Sequence, residues 1–222
     1  MADHAQAQSH ALAPHQQHQF ETMEQQQEAS TLGMWAFLVT EVMFFGGLFG
    51  AYTVYRYLYP HAFSEASHHL NYVIGAINTA VLICSSMTMA LAVRAAQLGH
   101  RRSQVIFLLL TIALGSTFLG VKVVEYHDKF VHHLVPGASF HFEGPYGREA
   151  QIFFSLYFAM TGMHAVHMII GIGMLSTLTV LAWRGHFSSH YFTPVELGGL
   201  YWHFVDIVWI YLFPLLYLIR GD

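Results

Sequence analysis

Five predominantly apolar segments, at about 32–57, 71–98, 104–126, 151–182 and 198–219, dominate this chain. Each can cross a bilayer, because ~20 residues at ~1.5 Å per residue cover a hydrocarbon core of ~30 Å. In lipid every backbone polar group must be paired within the protein, and a helix does this without help from neighbours. The pattern predicts an all-α, polytopic membrane protein built as a five-transmembrane-helix bundle. Composition agrees: 55% of the residues are hydrophobic and 10% charged, against roughly 25% charged in soluble domains. The breaks at 60–69, 99–103, 128–149 and 184–196 are polar or carry turn residues. The fourth segment is longer than a span needs and is expected to tilt or project. Pro214 is expected to kink the fifth or end its regular part.

Residues 1–30 are rich in His, Gln and Ala and hold no Lys or Arg. They lack the basic start and apolar core of a signal peptide, and read as a disordered tail ahead of a transmembrane domain over 31–222. His4, His10, His15 and His18 in that tail are at most weak metal ligands. A net charge of −4 leaves no basic patch to meet phosphates, which excludes a nucleic-acid partner. Cys84 is the single cysteine and reads as a small buried hydrophobe.

Five spans place the termini on opposite sides. Arg94, Arg101, Arg102 and Arg184 fall on the side of the N-terminus; Arg56, Lys122, Lys129, Arg148 and Arg220 fall on the other. Three of the first group flank one compact loop, and compact loops weigh most in the positive-inside rule. That favours a cytoplasmic N-terminus. Small residues mark expected helix contacts, because close approach holds helices together in lipid. They are the Gly46/Gly50 pair, then Gly75, Ala76, Ala80, Ser85, Ser86 and Ala90, then Gly162, Gly171 and Gly173. No internal repeat is visible, which argues against a transporter of two inverted halves.

Glu41 is the only acid in the first segment, and Phe37, Phe44 and Phe45 surround it at helical spacing. A charge at such a place costs at least ~2.5–3.5 kcal/mol, so intramembrane ionisable residues face a bundle interior and are functional by default. The other candidates are His164, His167, His203, Asp206 and Glu125. Glu41 and Asp206 lie at the same depth, ~14 Å from the same face of the apolar zone, so His203 and Asp206 are the expected company of Glu41. His203 and Asp206 share a helix face, as do His164 and His167, at i, i+3 spacing. Burial disfavours a charged carboxylate, so Glu41 is expected to be protonated where no cation is near.

Such groups either ligate a metal or form a polar network between helices. No helix carries two histidines about 13 residues apart, the spacing that two haems across a bilayer would need. A lone cysteine excludes a cysteine-held cluster. The loop residues His132, His133, His141, Glu143 and Glu149 have irregular spacing and read as solvated. No catalytic, cofactor-binding or metal-ligating residue is therefore expected in this chain. The contrasting reading is a transporter or channel with a proton relay through Glu41, His203 and Asp206.

Several runs then read together. TEVMFFGGLFGAY around Glu41, EYHD at 125–128, TGMHAVHMIIG at 161–171 and YWHFVDIVWIYLFPLLYL at 201–218 strongly resemble subunit III of haem–copper cytochrome c oxidase. The resemblance covers about Thr31 to Arg220 and matches the short, five-helix bacterial form, without the first two helices of the seven-helix version. It implies an accessory subunit of a proton-pumping terminal oxidase in the bacterial inner membrane, with the N-terminus cytoplasmic and the C-terminus periplasmic. Haems and copper are expected in subunits I and II. Subunit I is the main expected contact, with subunit II, small subunits and bound phospholipid nearby. The role implied is support of proton uptake and complex stability. Glu41 matches the family's embedded carboxylate, the one expected to react with hydrophobic carbodiimides. Quinol oxidases and some nitric oxide reductase systems have a similar subunit; Glu41 and the YWHFVD run look closer to the cytochrome c-oxidising branch. Membership of a supercomplex with a quinol-oxidising complex is left open.

Overall fold

The computed structural model describes residues 17 and 19–219, apart from 138, 139, 143, 144 and 190. His4, His10, His15, His18, Glu143 and Arg220 lie outside the described residues. Six helices follow in order: α1 (Met23–Leu58), α2 (Pro60–His68), α3 (Tyr72–Gln97), α4 (Arg101–Val131), α5 (Gly147–Trp183) and α6 (Thr193–Tyr217). All but α2 are long and apolar enough to cross a membrane. Among the described residues there is no strand beyond an isolated bridge between Ser188 and Tyr191.

Helix ends follow from local chemistry. The Thr22 hydroxyl caps α1 by accepting from the Gln25 amide at 3.1 Å, so the helix begins well before its apolar stretch. The Asn71 side chain accepts from the amides of Val73 and Ile74 at the start of α3, the usual work of an Asn N-cap. At the ends of α3 and α5, Gly99 and Gly185 turn the chain at φ 70° and 78°. In each case the next amide reaches back five residues, His100 to the Ala95 carbonyl and His186 to that of Leu181. This is the Schellman arrangement. α4 closes the same way, Leu134 to Lys129, with His133 in the left-handed position at φ 54°.

α2 occupies part of what the sequence reads as a loop. Pro60 stands at its first position, where a missing amide costs nothing, and it buries Ala62, Phe63 and Ala66 against α5 and α1. Nine residues are too few to show as a periodic pattern. α5, with 37 residues, is about 55 Å long and exceeds a bilayer core. Pro214 sits in the last turn of α6, which ends at Tyr217.

α6 is the centre of the bundle. It packs on α3, α5, α1 and α2, while α3 also packs on α4 and α4 on α5. Half of the apolar window of α6 is buried, against 11% of that of α1, so α1 lies on the outside. Trp202 and Trp209 of α6 are fully buried and join the layers. The Trp202 ring lies between two glycines: a Cβ at Gly115 would stand 2.7 Å from it and one at Gly171 3.0 Å. Its indole nitrogen donates to Ser85 Oγ at 3.1 Å. Trp209 donates to Thr79 Oγ1 at 3.0 Å and meets Phe118 edge-on at 4.7 Å. Gly75 and Gly199 likewise admit α6 against α3. Gly46 and Gly50 do not serve this purpose: nothing lies within 4 Å of a Cβ at either. That pair faces outward on α1 and packs no helix of this chain.

Candidate functional site

Glu41 meets His167, not His203 or Asp206. Its Oε2 is 3.0 Å from His167 Nε2, across the α1–α5 contact. The other ring nitrogen, Nδ1, is 2.9 Å from the Met163 carbonyl oxygen. A carbonyl only accepts, so Nδ1 carries hydrogen. The contact at Nε2 then requires one proton between Nε2 and Oε2, on the carboxyl group or on the ring. In either state the pair is neutral overall and holds a single transferable proton. The sequence expectation of a protonated acid with no cation near therefore omits its partner. Phe45 lies 5.3 Å from the imidazole, Phe37 stacks on Tyr201, and Tyr201 donates to the His167 carbonyl at 3.1 Å. The side chains are 19% and 12% exposed. The Glu41–His167 pair is thus not sealed inside the bundle.

His203 and Asp206 sit on the far side of α6. Tyr201 faces Glu41 and His167, and a residue two further along is rotated by about 200°. The relay expected from Glu41 to these residues is therefore not formed. Nor do His203 and Asp206 bond to each other. His203 Nδ1 is 2.6 Å from Ser86 Oγ of α3. Asp206 is 2% exposed, lies against Ser86, and has no hydrogen-bond partner at either carboxylate oxygen among the described residues. His164 is also buried, with both ring nitrogens unpartnered among the described residues; its ring packs on Phe118 and Trp209. His164 and His167 thus go to separate places.

Glu125 belongs to a network that the sequence reading missed. Lys122 there counts as a flanking charge, yet it is 3% exposed and donates to Glu125 Oε2 at 2.9 Å. Its remaining hydrogens go to the hydroxyls of Tyr157 at 3.2 Å and Tyr217 at 3.0 Å. Both tyrosines then donate to Glu125 Oε1, at 2.9 and 2.5 Å. Every ammonium hydrogen is used and each hydroxyl both accepts and donates. The Lys122 ammonium also lies 4.9 Å from the Trp209 ring centre. The i, i+3 spacing of Lys122 and Glu125 was the available signal; Tyr157 and Tyr217 carried none.

Among the described residues no three His, Cys, Asp or Glu side chains converge as a metal site. His132 pairs with Asp128 at 3.3 Å, on an exposed turn. A groove of about 570 Å³ runs between α3 and α4, lined by Ile74, Ile77, Val81, Val121 and Val124 with Asn78 and Thr117 among them, and by Asn71, Glu125, Asp128 and Lys129.

The family model of cytochrome c oxidase subunit III matches residues 15–220. Cytochrome c oxidase subunit 3 of Thermostichus vulcanus is 35% identical over 192 residues, covering 85% of this chain and 86% of the relative. The subunit 3 of the cytochrome bo(3) ubiquinol oxidase of Pseudomonas aeruginosa is 31% identical, over 85% of this chain and 84% of its own length. Quinol oxidase subunit 3 of Bacillus subtilis is 30% identical, over 88% and 91%. With a match across all five spans and the helical bundle described above, this multi-pass membrane protein belongs to the cytochrome c oxidase subunit III family.

Proposed function

We propose that the chain is the accessory subunit III of a proton-pumping haem–copper terminal oxidase, without a redox centre of its own. Haems and copper reside in the partner subunits I and II, and this chain packs on subunit I with its N-terminus in the cytoplasm. Its work is to sustain proton uptake and to stabilise the complex. The observation that supports a proton role is the Glu41–His167 pair, which holds one proton between two partly exposed side chains within membrane-spanning helices. The α3–α4 groove, mostly aliphatic along its walls with Asn78 and Thr117 among them, and with Asn71, Asp128 and Lys129 in its lining, suits the chain and head of a phospholipid.

Cytochrome c is the proposed electron donor, since a relative named for cytochrome c oxidase stands at 35% identity and one named for ubiquinol oxidase at 31%. The second reading, a quinol oxidase, rests on the same family match. Purification of the tagged chain in mild detergent should bring down larger haem-bearing subunits that oxidise reduced cytochrome c. Oxidation of quinol alone would select the second reading. Recovery of the chain by itself, with no haem protein, would overturn both. Glu41→Gln should leave the haem spectra intact while activity decays sooner during sustained turnover.

A further inference from the structure

Asp206 is an acid that the packing of the bundle does not account for. It is 2% exposed, and neither carboxylate oxygen has a hydrogen-bond partner among the described residues. α6 packs on α3, α5, α1 and α2, yet no charged side chain described on any of them acts on Asp206. A carboxylate buried without a cation or a donor is far more costly than the neutral acid. Among the described residues, Ser86 of α3 is the polar group set against it.

Ser86 also meets a second titratable group. Its Oγ is 2.6 Å from His203 Nδ1. His203 stands one turn before Asp206 on the same face of α6 and is partly exposed. No charged side chain acts on it either. A hydroxyl gives one hydrogen and accepts through its lone pairs. Ser86 can therefore donate to His203 Nδ1 and accept from an acid O–H on Asp206. The imidazole then carries its own hydrogen on Nε2, which has no hydrogen bond among the described residues. The three groups run in order from a sealed carboxyl group, through one hydroxyl, to a partly exposed ring.

We propose that Asp206, Ser86 and His203 form a proton wire, in which the buried carboxyl group holds a proton and the serine hydroxyl links it to the imidazole at the rim of α6. In one transfer the Asp206 O–H bond breaks and its proton joins Ser86 Oγ. The Ser86 hydrogen joins His203 Nδ1, and the Nε2 hydrogen leaves to a hydroxide ion of the medium, which becomes water. The negative charge stays on Asp206, and the reverse sequence reloads it. This site is separate from the Glu41–His167 pair, because Asp206 and His203 lie on the other side of α6. It goes beyond the reading of the chain as an oxidase subunit and does not depend on it.

The test is infrared spectroscopy of the full chain in lipid bilayers, with the side-chain carboxyl groups of its aspartates labelled with a heavy carbon isotope. A protonated carboxyl group has a C=O stretch separate from the bands of ionised carboxylates, and the label marks those that belong to aspartate. At neutral pH one such band is expected, and Asp206→Asn should remove it. The chain has four aspartates, Asp3, Asp128, Asp206 and Asp222. Asp3→Asn, Asp128→Asn and Asp222→Asn combined should keep the band, which assigns it even where Asp206→Asn does not fold. Raising the pH in steps should diminish the band and lowering it should restore it. After a pH jump, Ser86→Ala and His203→Leu should each slow that response roughly a hundredfold, the low end of what a positioned proton-transfer group contributes. Ser86→Thr keeps the hydroxyl and should respond like the wild type, and Glu41→Gln should leave both band and rate unchanged. Absence of the band, or a band that no pH tolerated by the folded chain alters, would overturn the proposal. A response equally fast in Ser86→Ala and His203→Leu would also overturn it, since the proton would then reach Asp206 by another way.

Discussion

Lys122 and Glu125 show how a bilayer protein keeps full charges in its interior. The ammonium and the carboxylate are both nearly sealed from solvent, and the two tyrosine hydroxyls saturate what remains of their hydrogen-bonding capacity. Removing one member of such a pair leaves a buried charge unpaired, at a cost of about 3–5 kcal/mol. Lys122→Met alone and Glu125→Gln alone should each destabilise the bundle strongly, and the double variant should lose much less than their sum. Unfolding of the four proteins in one detergent checks this; additive losses would mean that the charges are not coupled. Glu41 behaves differently because its partner is a base. A protonated carboxyl group adds through its oxygen to the central carbon of a hydrophobic carbodiimide and gives its proton to the carbodiimide nitrogen, and in the native pair that proton is shared with His167. His167→Phe removes the base and should speed labelling of Glu41, read by mass spectrometry of the peptides. Asp206, 2% exposed, should stay unmodified; labelling there in preference to Glu41 would contradict the greater exposure of Glu41.

At the level of helices, the contacts are decided by where glycine meets tryptophan. Gly115 and Gly171 flank Trp202, and any side chain at Gly115 runs into the ring at 2.7 Å. Gly46 on α1 has open space around it. The two positions look alike as glycines in apolar helices, yet only one lies inside the bundle. Gly115→Leu forces Trp202 and α6 apart, and overpacking of this kind costs about 1–3 kcal/mol. Gly46→Leu should leave the stability of the isolated chain unchanged. Thermal unfolding of both variants in detergent distinguishes them, and equal losses would mean that α1 packs inward through its glycines. Because Trp202 also bonds to Ser85, the same displacement should disturb α3.

For the molecule as a whole, the apolar runs made the five spans legible, since length and hydropathy are local properties. α2 was not legible, because nine residues with one apolar face look like a polar break. The candidate acids and histidines could be named from the sequence, but their partners could not. Equal depth suggested Glu41 with Asp206, whereas rotation about α6 turns Asp206 away and α5 presents His167 to Glu41 instead. Depth follows from counting residues; rotation depends on which helix packs where. The same packing predicts an uneven stability. α1 buries 11% of its apolar window and α6 half, and regions with few buried contacts open at lower free energy than the core. One long-range bond ties α1 down near its end, from the Tyr52 hydroxyl to the Leu215 carbonyl at 2.6 Å. Hydrogen exchange of the isolated chain in detergent should therefore be faster along α1 than along α6. Tyr52→Phe should accelerate exchange in α1 further while leaving α3 and α4 unchanged. Protection of α1 equal to that of α6 would mean that the outer helix is held by more than its contacts with α2, α5 and α6, and the bundle would have to open as one unit.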